Sequence, residues 1–131
     1  MDKTSNADVL KHIKKYTVEI QKTIDRFGDS FDIFSKDLDY QRSISMCLLQ
    51  IGELTNHLSE DYKKSTKQII QWHMIKGLRN IFAHGYGNVQ FEIVWESCKT
   101  DIPKLKEFCE KEIESFELLS QESVNPENKD E

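Results

Sequence analysis

The segment Arg79-Asn80-Ile81-Phe82-Ala83-His84-Gly85-Tyr86 gathers an arginine, a histidine and a tyrosine. A guanidinium holds phosphate through paired N–H donors and stabilises negative charge that develops on it. An imidazole takes or gives a proton near neutral pH. Together they suit phosphodiester chemistry, provided they face one space. On an unbroken helix the five steps from Arg79 to His84 rotate about 500°, leaving the two side chains about 140° apart. They converge only if the helix ends near them, and Gly85 and Gly87 supply that ending. Arg79 is then expected in the last turns, His84 at the C-terminus and Tyr86 in the loop beyond. The helix C-terminus favours the charged imidazole and Arg79 disfavours it, a balance that suits general acid–base work. Asn80 adds a neutral polar contact. No Asp or Glu falls within residues 62–91, so the window fits metal-free chemistry better than a two-metal site. Spacing alone is also explained by a capping histidine beside a surface arginine.

Helical stripes must carry these residues. Val9, Ile13, Tyr16, Ile20, Ile24 and Phe27 recur at steps of three and four, which predicts a helix over 6–27. Ser5 or Asn6 is the expected N-cap, with Gly28 as the stop. The turn 28–38, with Phe31 and Phe34, is expected to pack loosely over the bundle. Ile44, Leu48, Ile51, Thr55, Leu58 and Tyr62 predict one helix over 39–62, with Asp39 a possible cap. Gly52 lies inside it, where glycine costs about 1 kcal/mol against alanine; close packing is the expected reason. Residues 63–68 read as a polar connection. Ile69, Trp72, Ile75, Leu78 and Phe82 predict a short helix over 69–83, and Val94 through Phe116 supply the stripe of a last helix over 91–119. Pro103 removes a backbone donor there, so a kink or break is expected near Thr100–Pro103. With no strand signal, the chain is expected to be an all-α antiparallel bundle over 1–119, with an acidic, poorly ordered tail over 120–131.

The chain's 131 residues suffice for one domain with its own core. Only 5 glycines and 2 prolines interrupt it, which favours long helices. No apolar run is long enough to span a membrane, and the N-terminal MDKTSNADVLKHIKK resembles no secretory signal, so a cytoplasmic location is expected. Cys47, Cys98 and Cys109 form no metal-spaced set and are expected to be reduced core residues. His12, His57 and His73 stand alone and are expected at the surface or in packing. The formal net charge is -5, yet residues 62–91 hold Lys63, Lys64, Lys67, Lys76 and Arg79 with no acid. That window is a candidate anion site on an otherwise acidic body.

The wider context is more specific than the Arg–His pair. Arg79, four residues, His84, Gly85, Tyr86 completes an Arg-x4-His-x-Tyr motif. Ile51-Gly52-Glu53, Trp72, Gly77-Leu78-Arg79-Asn80, Val94-Trp95 and Asp101-Ile102-Pro103-Lys104-Leu105 flank it. Over about residues 6–116 the chain resembles the HEPN superfamily of helical ribonucleases, and most closely its HepT-like branch, the toxin half of type VII-like toxin–antitoxin pairs.

The resemblance implies a bundle of four to five helices, a homodimer, and a metal-independent endoribonuclease site at the dimer interface. It assigns Arg79 and His84 as catalytic, and Asn80 and Glu53 as supporting residues, with Glu53 facing the cleft from the second helix. Tyr86 would be adenylylated by a cognate nucleotidyltransferase antitoxin that consumes ATP. RNA would be the substrate, no resident cofactor or metal is implied, and the toxin would form a homodimer or a larger assembly with its antitoxin. A non-catalytic helical module that binds a nucleotide or protein is the alternative. The rings of Trp72, Phe82, Phe91 and Trp95 look too many for one small core, so a second chain is expected to cover some of them.

Overall fold

The computed structural model of the chain describes residues 5–81 and 90–123. Among the described residues the fold is all helix, in seven segments: α1 Asn6–Phe27, α2 Phe31–Lys36, α3 Leu38–Thr55, α4 Glu60–Thr66, α5 Trp72–Ile81, α6 Phe91–Lys99 and α7 Asp101–Ser123. α1 packs against α3 and α7, α3 against α5, and α6 against α7, while the short α2 bridges α3 and α6. This is the expected helical bundle. No described helix is long and apolar enough to cross a membrane.

α1 follows its sequence pattern closely. The Ser5 hydroxyl accepts from the Asp8 N–H at 3.1 Å and caps the helix. Val9, Leu10, Ile13, Thr17, Ile20 and Ile24 are buried along one face. Gly28 ends it at φ 124°, a backbone region open to glycine, and its N–H donates to Ile24 O at 2.8 Å.

The turn over 28–38 does not pack loosely. Ser30 caps α2, and Phe34 is fully buried. Its ring meets Tyr40 edge-on at 5.1 Å and Phe91 at 5.8 Å, with Trp95 tilted at 5.5 Å. The buried Gln41 donates to Phe34 O at 3.0 Å. Trp95 and Phe91 are partly buried against that cluster, and Trp72 is 6% exposed and meets Phe108 edge-on. Trp72 thus needs no second chain to cover it; Phe82 lies outside the described residues.

The single helix expected over 39–62 is two. Asp37, and not Asp39, caps α3 by accepting from the Tyr40 N–H at 3.1 Å. α3 ends at Thr55, and Ser59 starts α4 by accepting from the Tyr62 N–H at 3.2 Å. The segment read as a polar connection is largely α4, and Thr66 at its end is buried. Three bonds fix α4. The Ser59 N–H donates to Asn6 Oδ1 at 3.0 Å while Asn6 Nδ2 donates to Ser59 Oγ at 3.2 Å. The Tyr62 hydroxyl donates to Glu112 on α7 at 2.6 Å. Trp72 Nε1 on α5 donates to Thr66 Oγ1 at 2.8 Å.

The break at Thr100 falls where Pro103 pointed. α6 ends at Lys99 and α7 begins at Asp101, so Pro103 occupies the first turn of a new helix, where a missing N–H leaves no bond unmade. α7 runs on through Ser123, and residues 124–131 lie outside the described residues. Cys47, Cys98 and Cys109 are buried free thiols. Burial pushes Cys47 up to about 11 and Cys98 and Cys109 up to about 12, so all three stay neutral at physiological pH.

Candidate functional site

α5 is amphipathic. Trp72, Ile75 and Leu78 are each 6% exposed and fasten the helix to the core. That register turns His73, Lys76 and Arg79 outward.

Gly52 in α3 lets α5 approach. A Cβ built on Gly52 would stand 2.7 Å from Arg79 Cβ, 3.2 Å from Arg79 N and 3.2 Å from Lys76 O. Two of those three atoms are backbone, so a larger residue would push the helices apart. The expected packing role of Gly52 is therefore met, at the very residue proposed for chemistry.

The next residue, Glu53, meets the arginine head. Arg79 Nε lies 2.9 Å from Glu53 Oε1, with the two side chains 48% and 51% exposed. An ion pair this open adds about 0–1 kcal/mol to stability. Its larger effect is to fix where the guanidinium points. Five N–H donors fan out from that group and one carboxylate engages at most two of them in a fork. The rest remain for another oxyanion, such as a phosphodiester.

The structure brings Arg79 and Glu53 together, as expected for a shared cleft. Asn80 lies on α5, but its side chain is outside the described residues. His84, Gly85, Tyr86 and Gly87 also lie outside them, and with them the expected helix ending. His12, His57 and His73 are all exposed, and His12 Nδ1 sits 2.8 Å from Asp8 O in its own helix. Among the described residues no three His, Cys, Asp or Glu side chains gather as metal ligands.

Sequence reasoning missed what α4 does. With α5 it walls a cleft of about 650 Å³, lined by Lys63, Lys64 and Lys67 from one side and by Gln71, His73 and Lys76 from the other. The acid-free window marked these cations, but reading 63–68 as a connection left them unplaced. Ser59 followed by Glu60 and Asp61 was the available signal: an N-cap and an acidic first turn. A second groove, of about 530 Å³, runs between α5 and α6–α7, where Ile69, Met74 and Ile93 are 67%, 52% and 52% exposed.

Residues 8–112 match the family described as "Ribonuclease HepT-like". A protein of Caldanaerobacter subterraneus subsp. tengcongensis with the name "Putative RNase" is 32% identical over 108 residues, covering 79% of this chain and 93% of that one. A "Probable ribonuclease HepT" of Thermococcus cleftensis is 29% identical over 100 residues, covering 76% and 82%. A "Putative RNase" of Methanocaldococcus jannaschii is 30% identical over 82 residues, covering 56% and 74%. No solved structure matches the chain.

Proposed function

The chain belongs to the ribonuclease HepT-like family, and on that footing we propose that it is a metal-independent endoribonuclease, the toxin of a type VII-like toxin–antitoxin pair. The observation that carries this reading is Arg79: a half-exposed guanidinium at the end of α5, aimed by Glu53 and with donors to spare. RNA brings its own nucleophile, the 2′-hydroxyl. That oxygen attacks the adjacent phosphorus, the bond to the 5′ oxygen breaks, and a cyclic phosphate and a free 5′-hydroxyl result. Arg79 stabilises the charge on the phosphorane. His84 takes the 2′ proton or supplies the one the leaving oxygen needs, and Asn80 adds a polar contact.

In a homodimer the two copies of His84 can divide those proton transfers. The apolar groove at Ile69, Met74 and Ile93 favours a second copy, because isolated monomers rarely leave such side chains together in water. The antitoxin partner, a nucleotidyltransferase, would silence the enzyme by adenylylating Tyr86 from ATP.

The test is labelled RNA with purified protein in EDTA. Parental protein is expected to cleave it, while Arg79→Ala and His84→Ala each lose a factor of about 10²–10⁴ with their helicity intact. RNA that stays whole with the parental protein, or variants that cut at the parental rate, would overturn the reading.

A further inference from the structure

The α4–α5 cleft is occupied by nothing in the mechanism above, yet its charge is unusual. Seven lysines elsewhere among the described residues sit against a carboxylate. At the cleft only Lys63 does, 3.2 Å from Glu60. Lys64, Lys67 and Lys76 have no ion pair among the described residues, and Glu60, the acid in the cleft lining, is taken by Lys63. Three unneutralised ammonium groups around one cleft repel each other and raise the local concentration of anions.

The cleft also lies beside the candidate site in the order of α5 and α3. Lys76 precedes Arg79 on α5 by three residues, about 4.5 Å along the axis. Thr55, one turn beyond Gly52 and Glu53 on α3, lines the cleft. An anion that leaves Arg79 along α5 meets Lys76 first and then the α4 lysines.

We infer that this cleft is a track for the phosphate backbone of single-stranded RNA, holding the strand next to the bond that Arg79 engages. The inference rests on the endoribonuclease reading above. Lys64, Lys67 and Lys76 take successive phosphates, and Gln71 and His73 offer hydrogen-bonding groups to sugars or bases. Such contacts set position and affinity and carry little sequence information. A protein partner fits less well. Interface cores need apolar or aromatic anchors, and Trp72, the aromatic ring at this cleft, is buried with its N–H committed to Thr66.

The test measures binding apart from cleavage, in full-length His84→Ala protein, with a labelled single-stranded RNA followed by fluorescence anisotropy over a salt series. Lys64→Gln/Lys67→Gln/Lys76→Gln is expected to weaken binding at least tenfold. The slope of log affinity against log salt is expected to fall by about 2, since each phosphate contact on a single strand contributes about 0.7. The matching Lys→Arg triple is expected to keep the parental slope. Lys22→Gln/Lys106→Gln/Lys111→Gln on α1 and α7 removes the same charge away from the cleft and is expected to bind as the parent does. The track is overturned if the cleft triple binds RNA like the parent. It is equally overturned if the control triple loses as much, which makes the attraction one of net charge, or if the cleft triple keeps RNA and loses only capture of a protein partner. Any of these three results with a parent that still cuts RNA leaves the endoribonuclease reading standing. A parent that neither cuts nor binds RNA removes both.

Discussion

Gly52 and Arg79 touch so closely that a methyl group on the one would stand 2.7 Å from the Cβ of the other. Gly52→Ala therefore sets two effects against each other. Alanine favours an exposed helix by about 1 kcal/mol, whereas overpacking a tight contact costs about 1–3 kcal/mol. The atoms that must give way are two of the α5 backbone and the Arg79 Cβ fixed to it, so overpacking is expected to win. Urea denaturation should show net destabilisation of about 1–2 kcal/mol, and RNA cleavage should fall as Arg79 is displaced. A variant as stable as the parent would show that the α3–α5 contact yields freely.

Glu53 should matter for catalysis and hardly for stability. Both members of its pair are half exposed, so Glu53→Ala is expected to shift stability by no more than about 1 kcal/mol. Freed of its anchor, the guanidinium samples several rotamers, and kcat is expected to fall about tenfold, the equivalent of about 1.4 kcal/mol. Glu53→Gln keeps an oxygen to accept from Arg79 and is expected to restore most of that loss. Equal kcat for the alanine variant and the parent would remove Glu53 from the site.

These two residues also show how far the sequence could be read. Gly52 inside a helix announced a close contact, and the Arg-x4-His-x-Tyr motif named Arg79, but nothing in the spacing said that the two meet. The division at Thr55 was hidden because Leu58 and Tyr62 continue the apolar stripe of α3 in phase, although a new helix carries Tyr62. Phe34 was undervalued because a six-residue helix has too little periodicity to show which face it buries. Thr100 and Pro103, by contrast, were legible, since proline limits backbone geometry wherever it falls.

Tyr86 is expected to be a point of control. A phenol, with a reference pKa of about 10, is a poor base at neutral pH. Adenylylation would add a phosphodiester charge and bulk near Arg79 and His84, competing with the RNA phosphate. After co-expression with the nucleotidyltransferase, intact-mass measurement should find one or more added adenylates and lost RNase activity. Tyr86→Phe should stay unmodified and active; a mass gain in that variant would place the modification elsewhere.

Stability is expected to hold up to about pH 9 and then decline. Burial raises Cys47 from 9.0 to about 11, with Glu19 adding to it, and raises Cys98 and Cys109 from 9.0 to about 12. Tyr40 rises from 10.0 to about 12, chiefly by burial and then by Asp29, with its hydroxyl donating to Gly28 O at 2.9 Å. The unfolded chain gives up these protons first. The stability gained from holding them is whole below the unfolded values and is lost as pH climbs through the folded ones. Urea midpoints across alkaline pH check this, alongside thiol labelling. The three cysteines should react slowly in native protein near pH 8 and quickly in urea. Rapid native labelling would contradict their burial.

A helix of seven residues, as α4 is, lies well below the length at which helices persist alone in water. It exists because Asn6, Glu112 and Trp72 each hold one point of it from a different part of the chain. Its amide protons should therefore exchange with deuterium through an opening smaller than global unfolding, earlier than those of α1 or α3. In refolding, α4 is expected to form only after the starts of α1 and α5 and the middle of α7 have met. The cationic wall of the cleft is thus among the last surfaces completed, and a half-folded chain has the lysines without the arrangement that makes them a site.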